Sequence, residues 1–103
     1  MKYDSTTVKH VCAIDSPIDD VDTNHITVTG TVSNPYNQVS VSCFGHLASG
    51  LAFAQITLAA FTDSTHWIAT FVPPLLDSFN GVYSVSAMAS GEASANGHTP
   101  SIP

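Results

Sequence analysis

The feature that most constrains this chain is a period-two alternation that recurs in short segments and breaks each time at Gly, Pro or Asn. His25-Ile26-Thr27-Val28-Thr29-Gly30-Thr31-Val32 alternates strictly and places Ile26, Val28 and Val32 on one side. Val39 to Phe44 repeats the pattern with Val39, Val41 and Cys43 inward. Thr65 to Val72 places Trp67, Ala69 and Phe71 together before Pro73-Pro74 ends it, and Val82 to Ala89 does the same with Tyr83, Val85 and Ala87. Successive side chains of a strand point to opposite faces, so each segment reads as a half-buried strand. Thr7 to Ile14 forms an irregular first strand suited to an edge. Leu51 to Phe61 has mixed spacing; without a helix cap, and following Gly50 directly, it also reads as one strand.

The stretches between these segments are turns by composition: the acidic Asp15 to Asn24, Ser33 to Asn37, Gly45 to Gly50, and Asp77-Ser78-Phe79-Asn80-Gly81. Beyond Ser90 the chain turns small and polar, and a last strand within 91–103 is weakly specified. Residues 97–103 hold Gly97, Pro100 and Pro103 with one large aliphatic, Ile102, so the part beyond about Asn96 is expected to be ordered by contact with a neighbour. Six clear strands and a weak seventh, with turns about every 8–12 residues, predict an all-β sandwich or barrel of about seven antiparallel strands, with the sandwich preferred. Its 103 residues make a single domain, 1–103. The core is expected to contain Val28, Val41, Trp67, Phe71, Tyr83 and Val85.

Charge narrows the function classes. Only 10% of residues are charged, against roughly 25% in an ordinary soluble domain. Eight acidic residues face only Lys2 and Lys9, for a net charge of −6. Such a chain has little with which to neutralise phosphates, so nucleic acid is not an expected partner. No apolar run approaches the roughly 18 residues that span a bilayer, and the first seven residues lack the apolar stretch of a signal peptide. A weakly charged Ser/Thr/Ala-rich surface suits packing against protein neighbours, including copies of itself. Cys12 and Cys43 read as two separate thiols, with a bridge across a sandwich as the alternative.

Candidate chemistry is sparse. The histidines His10, His25, His46, His66 and His98 stand singly, without metal-ligand spacing, and no glycine-framed turn presents a serine nucleophile, so no catalytic residue is expected. Tyr3, Tyr36 and Phe79 lie in or beside predicted loops, where they either staple turns or stack on sugars. Asp15, Asp19, Asp20 and Asp22 form the most suggestive cluster; hard cations take several oxygen ligands, so calcium is weighed against a solvated acidic loop.

Three stretches carry a family resemblance: the strand Ile26 to Val32 with Gly30 at its centre, Trp67-x-Ala69-x-Phe71, and Asn80-Gly81-Val82-Tyr83-Ser84-Val85-Ser86-Ala87. Together, over roughly residues 25 to 90, they resemble the bacterial immunoglobulin-like repeats of large surface adhesins and related Ig-like modules of phage virions. The resemblance implies an immunoglobulin-like sandwich with Trp67 as core plug and Tyr83 at a tyrosine corner. It also implies calcium at domain junctions, which is where the acidic cluster would act. The two functions that follow are non-catalytic. One is a small decoration or fibre module on a phage capsid or tail, exposed on the virion surface and favoured by a reading frame beginning at Met1 without a signal peptide. The alternative is a bacterial cell-surface adhesin repeat that meets neighbouring repeats, glycans or receptors.

Overall fold

In the computed structural model, which describes residues 11–33, 38–89 and 93–102, the inward rows of the strictly alternating segments close on one another across two antiparallel sheets; of the predicted first strand, residues 7–10 lie outside the described residues. Nine strands are defined among the described residues: β1 (Cys12–Ile14), β2 (Asp20–Asp22), β3 (His25–Val32), β4 (Val39–Leu47), β5 (Ala52–Leu58), β6 (Ala60–Phe61), β7 (His66–Phe71), β8 (Phe79–Ala89) and β9 (Ala93–His98). One sheet runs β1-β3-β7-β6, with β2 also paired to β3; the other runs β5-β4-β8-β9. We call them the first and second sheet.

All the alternating positions read as inward are buried: Ile26, Val28 and Val32 on β3, Val39, Val41 and Cys43 on β4, Trp67, Ala69 and Phe71 on β7, and Tyr83, Val85 and Ala87 on β8. They form one hydrophobic cluster between the sheets. Trp67 lies opposite Gly30 in the β3–β7 ladder and donates its indole N–H to the Thr31 carbonyl at 3.2 Å. Tyr83 has its ring in the core with Phe53 and Phe79, all three meeting edge to face. Its hydroxyl donates to the His46 carbonyl and accepts the Asn80 N–H at 3.1 Å, which ties the two neighbouring backbones to the base of β8. Gly45 makes room for that ring. A Cβ there would sit 2.3 Å from Tyr83 Cδ2, and the β4–β8 register shifts between Phe44 and His46.

Four sequence expectations need correction. The segment 51–61 is two strands: Ala59 donates to the Val39 carbonyl at 2.8 Å, and beyond it the chain leaves the second sheet and joins the first as β6. Crossing between sheets changes which side is inward, and this explains the mixed spacing. The acidic turn contains β2, whose Val21 pairs with Ile26. The expected loops at 45–50 and 77–81 are partly strand, because β4 runs to Leu47 and β8 starts at Phe79.

The fourth concerns the C-terminus, which belongs to this domain's own sheet. Gly97 and His98 pair with Val85 and Ser84. Thr99 donates its N–H to the Tyr83 carbonyl, and its hydroxyl accepts the Tyr83 N–H, both at 2.9 Å. Ile102 exchanges two 2.9 Å bonds with Gly81 and is buried. One side chain bond and one well-placed isoleucine compensate for the ladder donors that Pro100 cannot supply.

Cys12 and Cys43 are both free and buried. Burial raises the Cys12 thiol and pushes Cys43 up to about 12, so both stay protonated and inert at neutral pH.

Candidate interaction face

Strand register decides what the outer face of the second sheet presents. Opposite the buried row of β4 lie Ser40, Ser42 and Phe44; the ladder sets them beside Leu58, Ile56 and Ala54 of β5 on one flank. On the other flank stand Met88, Ser86 and Ser84 of β8, followed by Ser94, Asn96 and His98 of β9. The result is a sheet face of small hydroxyls at the centre, with exposed Phe44, Ile56, Leu58 and Met88 around them. Ser42 and Ser86 satisfy each other through a 2.6 Å hydroxyl bond across the β4–β8 pair. Two shallow grooves of about 380 Å³ and 260 Å³ cross the face, one beside Ile56 and Met88 and one beside Phe44 and His98. None of the four strands of this sheet contains Asp, Glu, Lys or Arg.

The carboxylates of the described residues are elsewhere, and most are engaged in local structure. Asp77 accepts Ser49 Oγ at 2.7 Å and the Ser78 N–H at 2.8 Å, contacts that hold its carboxyl below the usual range and tie two loops together. Asp63 accepts the N–H groups of Thr65 and His66 at 2.8 and 2.9 Å. These bonds, with the His66 ring, lower it to about 2. Asp63, His66 and Thr65 are also the nearest approach to a catalytic triad among the described residues. Both the carboxylate (2.9 Å) and the Thr65 hydroxyl (3.2 Å) meet the same ring nitrogen, Nδ1. A general base needs its orienting carboxylate on one nitrogen and its nucleophile on the other, so this group is a turn clasp.

Of the four aspartates singled out for calcium, Asp20 and Asp22 share one partner, and Asp15 has another. Asp15 accepts the Thr29 hydroxyl at 2.7 Å, and Asp19 is exposed. Asp20 and Asp22 converge on His25, at 2.9 Å to Nε2 and 3.1 Å to Nδ1. Asp22 also accepts the Asn24 and His25 N–H groups at 2.7 and 3.0 Å. Among the described residues no three His, Cys, Asp or Glu side chains gather as metal ligands. What β2 and β3 build is a carboxylate–imidazole clasp on the outer face of the first sheet.

That clasp has a pH signature. The Asp20 hydrogen bond foremost raises the His25 pKa above its ordinary value, outweighing an opposing desolvation effect, and the Asp22 charge adds to the rise. A group raised on folding adds stability that is complete below its unfolded pKa of about 6.5 and is lost as pH rises through the folded value. Melting curves of the parent and of His25→Gln should therefore converge as pH climbs above about 6.5, with the parent the more stable on the acid side. Parallel curves across that window would refute the clasp.

Of the loop aromatics, Phe79 is buried against Phe53 and Tyr83 and is unavailable to a sugar. Tyr3 and Tyr36 lie outside the described residues, as do Lys2 and Lys9. Sequence reasoning missed the face itself, along with Leu75 and Leu76, which stand 91% and 97% exposed on the β7–β8 loop, Leu76 at a φ of 70°. Beside that loop, Leu47, Leu51, Phe53, Val72 and Pro73 line a groove of about 570 Å³. Comparison with known proteins returned no match to any family model, curated protein or solved structure.

Proposed function

We propose that this chain is a non-catalytic immunoglobulin-like module, and that it serves as a virion structural protein: a small decoration or fibre component attached to a phage capsid or tail. The immunoglobulin assignment is supported by the strand order. β1-β3-β7-β6 facing β5-β4-β8-β9 follows the A-B-E-D and C′-C-F-G arrangement of such sandwiches, with β2 as an addition to the first sheet. Tyr83, tied by its hydroxyl to the backbone at Asn80 three residues upstream, stands where a tyrosine corner would.

The observation that carries the structural role is the uncharged outer face of the second sheet. On a chain of net charge −6, four strands without Asp, Glu, Lys or Arg form the surface least costly to desolvate against a protein partner. The second reading, a bacterial cell-surface adhesin repeat, draws on the sequence motifs within residues 25–90 and shares the same sandwich. Mass spectrometry of density-banded phage particles from the producing strain separates the two. The chain should be present in the particles at a fixed ratio to the major capsid or tail protein. Its absence there, with recovery in the cell-envelope fraction, would overturn the virion reading in favour of the adhesin one.

A further inference from the structure

β5 is the one long strand edge that the described residues leave open. β6 has two residues and β1 three, and β9, six residues long, has β1 of the first sheet packed close to it. β5 runs seven residues, Ala-Phe-Ala-Gln-Ile-Thr-Leu, and pairs with β4 alone. It carries no charge, proline or bulge, the devices by which natural edges discourage pairing. Ile56 and Leu58 on it are 71% and 60% exposed.

The hydrogen-bond phase says which groups are free. At the two ends of the β4–β5 ladder Ala59 donates to Val39 O and Leu47 to Leu51 O, each at 2.8 Å. Bonded pairs therefore fall on odd residues of β5, and alternation turns the N–H and C=O of Ala52, Ala54, Ile56 and Leu58 toward the open edge.

We infer that β5 is a homodimer edge, pairing antiparallel with β5 of a second copy about a two-fold axis through Gln55. The axis follows from phase and shape. Antiparallel bonding joins outward-pointing residues in pairs, and centring on Gln55 overlaps all seven residues. It sets Ala54 against Ile56 and Ala52 against Leu58 of the partner copy, so each small side chain faces a large one. Shifting the axis to Ala54 or Ile56 shortens the overlap and sets Ala54 or Ile56 against itself in the outer row, whereas the Gln55 axis confines its one like pair to the opposite row. An isologous contact needs a self-complementary patch, and this register supplies it. Charge points to the same edge: two chains of −6 repel least along strands that hold no carboxylate, and the six described aspartates lie outside the second sheet. The joined sheets would form one eight-stranded outer face, with Phe44, Ile56 and Leu58 of both copies flanking the seam. The inference stands on the strand edge and holds whichever setting the module serves.

A seven-residue seam is smaller than the roughly 800 Å² per partner of a standard interface, so the dimer should be reversible and concentration-dependent. Light scattering of the parent should show mass rising with concentration from 10.8 kDa toward twice that value. Residues facing each other across a non-hydrogen-bonded antiparallel pair have Cα atoms about 4.5 Å apart, within disulfide reach. Mild oxidation of Gln55→Cys should therefore trap a covalent dimer, while Ser49→Cys, on an exposed loop, should form no covalent dimer; the native thiols are buried. Ile56→Lys, at an exposed position, should lower dimer population at least tenfold without changing the monomer's circular dichroism. Ala54→Pro should do the same, removing an edge donor and leaving the β4 ladder intact. A parent that stays monomeric at every concentration overturns the inference and leaves the edge to a strand of another protein. Equal trapping at positions 49 and 55, or a dimer that survives Ile56→Lys, overturns it as well.

Discussion

Trp67→Ala should cost about 3–5 kcal/mol, the range for deleting a buried large aromatic whose cavity the surroundings cannot close. The indole is buried in the inter-sheet cluster, and it packs over Gly30 of the neighbouring strand β3. Glycine offers no side chain to relax into the space, so collapse has to come from the backbone of two central strands. Removing the ring also strips the Thr31 carbonyl of its indole donor. A domain of this size has roughly 5–15 kcal/mol of total stability, so the variant should lose about a fifth of it or more. Denaturant unfolding is the measurement, with a lowered midpoint and an unchanged slope expected. A midpoint equal to the parent's would mean that β7 sits in a different register.

The core was legible in the sequence because alternation is a direct readout of strand geometry. Wherever polar and apolar residues alternate without interruption, as on β3, β4, β7 and β8, the buried row follows from period alone. Legibility failed where geometry is set by tertiary contacts. Ala59 looks like its neighbours, yet the chain changes sheets there, and only the bond to Val39 reveals it. Phe79 follows Asp-Ser and precedes Asn-Gly, the composition of a turn, and it is buried because β8 begins two residues before the positive φ of Gly81. Val21 pairs with Ile26 in a segment whose aspartates suggested only solvent or a cation. The C-terminus is a sharper case. Its composition argues for weak order, and the order comes from Thr99 and Ile102 finding specific partners on β8.

The interaction face was invisible for a different reason. Its members, Phe44, Ile56, Leu58, Met88 and the serines between them, come from four strands, and on each strand they are simply the residues that are not inward. A row of outward serines says little by itself. Ladder register turns separate rows into one surface, and register across non-sequential strands such as β4 and β8 is not a local property. The absence of charge is visible in the composition, but where the remaining carboxylates go depends on the fold.

Gly30→Ala is the second large effect expected, and it tests the same contact from the other side. A Cβ on Gly30 would lie 2.2 Å from the Ala13 carbonyl oxygen and 2.2 Å from Trp67 Cζ2. Both distances are far inside van der Waals contact, and neither atom is the free end of a flexible side chain. Relief requires β1 to move off β3, or the indole to leave its rotamer. Overpacking of a core typically costs 1–3 kcal/mol; with a backbone atom on one side and a locked ring on the other, we expect about 3 kcal/mol. Two contacts shared by one position make the effect separable. In a Trp67→Ala background the ring clash disappears and the Ala13 clash stays, so the Gly30→Ala penalty should fall by about 1 kcal/mol or more and remain above zero. Amide exchange should place the residual damage on β1, at Ala13 and Ile14, which pair with Thr31 and Gly30. Strict additivity of the two substitutions, or a Gly30→Ala chain as stable as the parent, would show that Trp67 does not pack over Gly30.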